Sequence, residues 1–369
     1  MCKHDTMTAP PRSLRRRILM AGLAAVGATV LPLLAADAPH PYAQAIDTLA
    51  DKLATRFVDP ASGRRYADML RANLAAGKYD DIGDAKAVAQ RLTQDLQAVA
   101  ADGHLRVDLA PEPGALHGPG PRLVEGAPPS MASPGNAPLP PPSSLAPIDL
   151  PSVAETRWIA PGVAYIRFNQ FAGEPASIAA MRAFVKDYVT AKAIIIDTRT
   201  LSRGGGLAEM DALFPYLFDR ETVLVEMATA KNDGELGGPP PMEGDTLRAV
   251  PGAADMRVRQ HVAVPDASEH RLAKAKVFYL TSKRTRSAGE HFALALQRTH
   301  RGTLIGERTA GANHFGRIEP IGAGLAAFIP VGRTYDPVTG KDWEGTGIVP
   351  DIEVPADQAL DKALALAKD

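Results

Sequence analysis

Apolar residues return at helical spacing through residues 41–100. Ile46, Leu49, Leu53 and Phe57 share one face, and Val88, Leu92, Leu96 and Val99 share another. Asp84 can cap the second of these stripes, and Gly77 can end a middle helix carrying Tyr66, Met69 and Leu70. The pattern predicts a small bundle of three amphipathic helices. The period then shortens. Leu105, Val107 and Leu109 alternate with polar residues and predict a strand. Across residues 111–157 regular patterning lapses. Pro and Gly recur, with P-L-P-P-P-S-S at 138–144, and large apolar residues are sparse. This stretch reads as an extended linker or surface loop, partly polyproline II, without a core of its own.

From Trp158 onward strand and helix patterns alternate. The spacing predicts a strand at 163–168, a helix at 175–190 and a buried strand at 193–196. Gly204, Gly205 and Gly206 follow, then a helix over 207–217 and a strand at 223–226. Residues 231–270 read as an irregular excursion. A further strand–helix unit occupies 276–299, with a strand at 303–305, hairpin strands between about 316 and 334, and a last helix near 357–367. Such alternation argues for parallel βαβ units. The expected organisation is a segment 1–38, a helical domain 39–110 ending in a strand, the linker 111–157, and an α/β domain 158–369.

Composition agrees with a globular chain: 369 residues, 45% hydrophobic and 22% charged. The net charge of −1 offers no basic excess to recruit nucleic acid. The first segment is read by its charge placement. Arg15, Arg16 and Arg17 precede an apolar run from Ile18 to Ala36, and small residues follow, which is the layout of an export signal. S-L-R-R-R-I-L-M at 13–20 also resembles a twin-arginine signal. The competing reading is an uncleaved anchor, because 18–36 is just long enough to span a bilayer; its Ala/Gly content and Pro32 favour cleavage. Cleavage would remove Cys2, the single cysteine, leaving a chain with neither disulfides nor thiol chemistry. The expected location is the periplasm or the exterior.

Candidate chemistry gathers in the last third. T-S-K-R-T-R-S-A-G-E at 281–290 puts Ser287 between a strand-like and a helix-like run. A serine at a strand-to-helix turn exposes its hydroxyl beside free backbone N–H groups, which suits a nucleophile; a plain helix N-cap is its ordinary role there. A base is then required. His104, in D-G-H-L-R-V, stands at the start of a strand next to a glycine, and an imidazole base predicts activity falling below about pH 6 to 7. His314 and His291 are rivals. Glu344, in W-E-G-T-G, can orient the base, with Asp102 as the local alternative. Gly204, Gly205 and Gly206, together with the Ala288 N–H, can form an oxyanion hole. Their spacing fits neither a dinucleotide fingerprint nor a P-loop, and no H-E-x-x-H metal motif occurs. No cofactor or metal is expected.

In this order the segments resemble the tail-specific (C-terminal-processing) serine peptidase family, in the branch with tricorn protease and the repeats of interphotoreceptor retinoid-binding protein. The resemblance rests on T-S-x-x-T-x-S-A-x-E, G-E-x-T-A-G, P-x-G-R-x-Y-D-P-x-T-G and W-E-G-x-G-I-x-P-D within 276–351. It also rests on Asp197 with glycines 204–206, and on the segment 92–107. It implies an α/β fold, a crotonase/ClpP-like βα spiral core with a small N-terminal helical bundle. It implies Ser287 as nucleophile, His104 as base, Glu344 as supporting acid, and the glycine turn with Ala288 N–H as oxyanion hole. Two departures stand out. No lysine occurs in 310–317, where Ser–Lys members carry their base, and Gly103 stands where the tricorn pattern has a serine. The resemblance implies a peptide or protein substrate. No PDZ module is evident, and the oligomeric state is open. Two other readings remain: a carrier of apolar small molecules on the same fold, and an esterase acting on small acyl substrates.

Overall fold

The computed structural model describes residues 40–110, 150–231 and 244–368. The bundle forms from Ala43–Arg56 (α1), Pro60–Ala75 (α2) and Ala85–Val99 (α3). Asp59 and Asp84 accept hydrogen bonds from the N–H groups of Ser62 and Ala87, 2.9 Å each, and so cap α2 and α3. The apolar stripes point inward: Ile46, Leu49, Leu53, Leu92 and Leu96 are fully buried.

The rest of the chain runs Arg106–Leu109 (β1), Val153–Ala160 (β2), Val163–Phe168 (β3), Pro175–Asp187 (α4), Ala193–Asp197 (β4), Ala208–Leu217 (α5) and Thr222–Ala230 (β5). It continues with Leu247–Val250 (β6), Met256–Ala263 (β7), Lys276–Thr281 (β8), Ala288–Arg298 (α6) and Thr303–Gly306 (β9). Phe315–Gly322 (β10), Leu325–Tyr335 (β11), Ile352–Glu353 (β12) and Ala359–Lys368 (α7) complete it. The fold is α/β with a small N-terminal helical bundle. One sheet has the order β12-β9-β8-β4-β3-β2, and every pair in it is parallel except β2–β3. The other is antiparallel, β1-β11-β5-β7-β6, with β10 also pairing β11. The bundle shares a core with that second sheet, through Leu325, Ile329 and Val331. Lys52 and Arg56 of α1 both pair with Glu319 of β10.

Two expectations change. The excursion 231–270 contains β6 and β7, and β7 lies inside its sheet, not at the edge. The strand β2 begins within the segment read as linker, so a boundary at residue 157 falls inside it. Residues 1–39 and 111–149, which hold the signal and most of the linker reading, lie outside the described residues.

Topology positions the candidate chemistry. The neighbours β4 and β8 are parallel and in register, Asp197 opposite Leu280, so both carboxyl ends open at one side of the sheet. In parallel α/β sheets, ligands bind in that crevice. The Gly204–Gly206 turn follows β4 and Ser287 follows β8. His104 arrives from the other sheet, at the start of β1.

Candidate active site

Ser287 sits at the N-cap of α6 with φ 52°, a backbone conformation uncommon for a residue with a side chain. Strain of this kind persists only where the surroundings enforce it. Here the Ser287 N–H donates to the Ala312 carbonyl at 3.1 Å and to Glu290 Oε2 at 2.9 Å. Glu290 is fully buried. It also accepts from Thr309 Oγ1 at 2.5 Å, the Gly311 N–H at 2.7 Å and the Ala312 N–H at 2.9 Å. Burial raises its pKa, against the pull of those hydrogen bonds. One carboxylate thus ties the serine turn to the segment 309–312.

The glycine turn packs directly on the serine. A Cβ at Gly204 would stand 2.3 Å from Ser287 Cβ and 2.7 Å from its Oγ, and 3.1 Å from the Ala288 nitrogen. Any side chain there would displace the hydroxyl. Gly205 has φ 144°, and a Cβ would meet the Phe171 carbonyl oxygen at 1.8 Å. The Gly206 N–H donates to that same oxygen at 2.7 Å, so it is already engaged. These positions should separate on substitution. Gly205→Ala is expected to destabilise the fold by about 1–3 kcal/mol or more. Gly206→Ala, with nothing within 4 Å of its Cβ, should leave melting temperature and turnover near the parent values. Gly204→Ala should lower kcat far more than its effect on melting temperature explains. Paired thermal-melt and kinetic measurements on the three variants check this.

His104 is stacked on Phe328, ring centroids 5.4 Å apart. Its Nδ1 is buried and has no hydrogen-bond partner among the described residues. Burial pushes its pKa down to about 4; the nearby Asp102 opposes this, and Arg106, His314 and Arg286 add to it. Neither Glu344 nor Asp102 is salt-bridged to this ring; both hold the backbone of its turn. Asp102 Oδ1 accepts from the N–H groups of His104 and Leu105, 2.8 Å each. Glu344 Oε1 accepts from the Gly103 N–H at 2.7 Å, and Oε2 from the Asn313 and His314 N–H groups at 2.6 and 2.9 Å. Burial raises the Glu344 pKa, and the negative charge of Asp102 adds to the effect. Glu344 therefore clasps two loops together and reaches His104 only through the backbone of the preceding Gly103. The glycine before His104 also has a steric reason: a Cβ at Gly103 would lie 2.8 Å from Ala312 Cα and Cβ.

A feature spread over distant residues completes the cluster. His314 Nδ1 lies 2.7 Å from Asp102 Oδ2 and 3.8 Å from Glu344 Oε2. Burial works against an imidazolium there, but the hydrogen bond and charge of Asp102, aided by Glu344 and Asp342, raise the His314 pKa. In the sequence Asp102 and His314 stand as separate candidates with nothing to join them, since 212 positions divide them. Ligand atoms of Asp102, His314 and Glu344 all lie within 4.8 Å of one another, as metal ligands can. The 2.7 Å contact is nevertheless a hydrogen-bond distance. Two bonds of about 2.0–2.2 Å to one tetrahedral metal would hold their ligand atoms more than about 3 Å apart. The remaining rival, His291, points elsewhere. Its Nε2 is 2.8 Å from His261 Nδ1, and His261 Nε2 is 3.0 Å from Asp211. Burial and the neighbouring His261 hold the His291 pKa well below the usual range.

Comparison with known proteins gives the class. Residues 162–354 match the model of peptidase family S41, and residues 39–136 match that of the N-terminal domain of peptidase S41 in eukaryotic IRBP. The protein is a serine-type peptidase. The chain belongs to peptidase family S41, whose model spans just over half of it. Among solved structures, a candidate peptidase from Parabacteroides merdae ATCC 43184 is 14% identical with a TM-score of 0.56, over 89% of this chain and 97% of the other. A lipoprotein from Streptococcus agalactiae is 12% identical with a TM-score of 0.52, over 90% and 97%. At these identities the likeness is one of fold.

Proposed function

We propose that the protein hydrolyses peptide bonds through Ser287, with His104 as general base and Glu344 as the residue that positions it. The observation that carries this reading is the packing of the Gly204–Gly206 turn against the strained Ser287, which brings a candidate nucleophile and candidate oxyanion donors together. In the reaction, Ser287 Oγ attacks the scissile carbonyl carbon and its proton passes to His104. The developing oxyanion is met by the N–H groups of Ala288 and of Gly205 or Gly204; Gly206 is set aside because its N–H serves Phe171. The amine then leaves with the proton from His104. Water, activated by the same imidazole, hydrolyses the acyl-enzyme.

A second reading has His314 as base, favoured by its 2.7 Å contact with Asp102. The pH profile separates the two. A base works only when neutral, so kcat/KM falls as pH drops through the base's pKa in the free enzyme. Burial depresses His104 to about 4, which moves the expected loss from the pH 6 to 7 of an ordinary imidazole down toward pH 4. A His314 base, with its pKa raised above 6.5, would place the loss above pH 6.5. With His104 as base, activity persists at pH 5.5 to 6, within about twofold of its plateau, and His104→Ala removes it. An acid limb above pH 6.5, or full activity in His104→Ala, assigns the base to His314.

The reading includes export, supported by the arginine-led apolar segment 15–38. Among the described residues no helix is long and apolar enough to cross a membrane. N-terminal sequencing of the exported chain should begin near residues 37–39; a chain retained in the membrane and starting at Met1 would identify an anchor instead.

A further inference from the structure

The candidate base is placed mainly by its own backbone. No described residue bonds to His104 Nδ1, so the ring rests on its stack with Phe328 and on the turn that carries it. Gln97 of α3 holds that turn from one side, bonding to the Asp102 N–H and to the Asp102 and Leu105 carbonyls. It is neutral. Two carboxylates hold the turn as well. Asp102 Oδ1 takes the His104 and Leu105 N–H groups, and Glu344 Oε1 takes the Gly103 N–H. A carboxylate oxygen of one lies within 4.8 Å of one of the other. Their side chains are only 2% and 13% exposed, so water and salt screen their repulsion poorly.

His314 stands against both. Its Nδ1 is 2.7 Å from Asp102 Oδ2 and 3.8 Å from Glu344 Oε2, and its N–H donates to that Glu344 oxygen at 2.9 Å. The Phe57 ring meets the imidazole edge-on, centroids 6.1 Å apart. Other titratable groups border the cluster. Asp342 adds negative charge from the Glu344 loop but is itself paired with Arg333 at 2.8 Å. His104 faces His314 across Asp102. Tyr66 of α2 feels both carboxylates, and burial keeps its phenol protonated. An imidazolium at position 314 neutralises one of two adjacent carboxylates. A neutral ring can keep the Nδ1–H bond to Asp102 but leaves two negative charges side by side, which is costly in a half-buried site.

Resting on the serine-peptidase reading with His104 as base, we propose that His314 is a positioning residue: as an imidazolium bridging Asp102 and Glu344, it holds together the loops that place His104. The clasp loosens when His314 loses its proton. Because the His314 pKa is raised, that loss falls above pH 6.5. Activity then has two limbs, an acid one from His104 and an alkaline one from His314. A His314 base would give the opposite slope, with activity rising as the same proton leaves.

The test follows the full-length protein from about pH 4.5 to 9 by three readouts. These are hydrolysis of a quenched peptide pool, the rate of Ser287 labelling by a fluorophosphonate, and the His314 ring titration by NMR, assigned by difference against His314→Asn. Hydrolysis and labelling should fall about tenfold on the alkaline side, with the midpoint of the ring titration. Asp102→Asn keeps an acceptor for the two backbone N–H groups and removes one charge, so its alkaline limb should vanish. His314→Asn keeps a donor near the Nδ1 position without the charge. It should stay near the parent's alkaline level with no alkaline limb. His314→Ala should fall further, with kcat about tenfold to a hundredfold below the parent near pH 6 and KM little changed.

A parent profile that ignores the His314 titration overturns the positioning role and leaves the peptidase reading standing. So does an alkaline limb that survives in His314→Asn or Asp102→Asn. Activity that rises as His314 loses its proton, and is lost in His314→Asn, makes His314 the base and overturns the proposal. A folded protein that neither cleaves nor labels at any pH counts against the peptidase reading and takes the proposal with it. Should the variants fail to fold, the parent decides, by whether the alkaline midpoint coincides with the ring titration.

Discussion

Ser287→Ala is expected to lower peptide hydrolysis by about a thousandfold or more while the protein stays folded. Residues that act as a catalytic unit lose most of the rate enhancement when any one is removed. The backbone holding the serine does not depend on its hydroxyl. Its N–H is taken by the Ala312 carbonyl and Glu290, and alanine tolerates φ 52° about as poorly as serine does. The melting temperature should therefore move by only a few degrees, since replacing an N-cap serine by alanine costs about 0.5–2 kcal/mol. Steady-state kinetics and a thermal melt on one preparation suffice. Substantial turnover in the folded variant would remove Ser287 from the mechanism.

Glu290→Ala should show the converse, a stability defect from which loss of activity follows. The substitution strands four donors: the N–H groups of Ser287, Gly311 and Ala312, and the Thr309 hydroxyl. Each buried group left unpaired costs about 1–3 kcal/mol, partly recovered by relaxation or entering water, so a net loss of about 3–5 kcal/mol is expected. For a domain of this size that lowers the melting temperature on the order of 10 °C. The Ser287 turn also loses the clamp that enforces its φ, so turnover should fall even below the melt. A Glu290→Ala protein with parental stability would show that the cost of burying the carboxylate offsets its hydrogen bonds.

Much of the fold is legible wherever apolar periodicity reflects burial alone. Ile46, Leu49 and Leu53 are spaced for a helix and all three are buried, and the strand Ala193–Asp197, apolar up to its last residue, is buried throughout. The strand β7 hides because its interior is polar. Arg259 and His261 are buried, His261 between His291 and Asp211, so the segment M-R-V-R-Q-H-V-A does not alternate as a half-buried strand should. The strand β2 hides for the opposite reason. As an edge strand it exposes Arg157 and Trp158, and it follows a proline-rich stretch.

The site divides in the same way. Ser287 and the glycine turn announce themselves through local strand-to-helix chemistry, because β4 and β8 each deliver their own loop. The clasp around His104 does not. Asp102 meets His314, and Glu344 meets Gly103, across 212 and 241 positions. Only the pairing of β1 and β10 with β11 brings those loops together. Sequence identifies Glu344 as a candidate acid but not its mode of action, since a carboxylate that holds backbone N–H groups and one that holds an imidazole look alike in the sequence.

The nucleophile assignment is tested most directly by covalent trapping. The folded, catalytically active protein is treated with a fluorophosphonate, and the adduct is located by peptide mass mapping. The account predicts one adduct, on the peptide containing Ser287, with hydrolysis lost in proportion to labelling and labelling abolished in Ser287→Ala. An active protein that labels at a different serine, or that keeps its activity when Ser287 is fully modified, would contradict it.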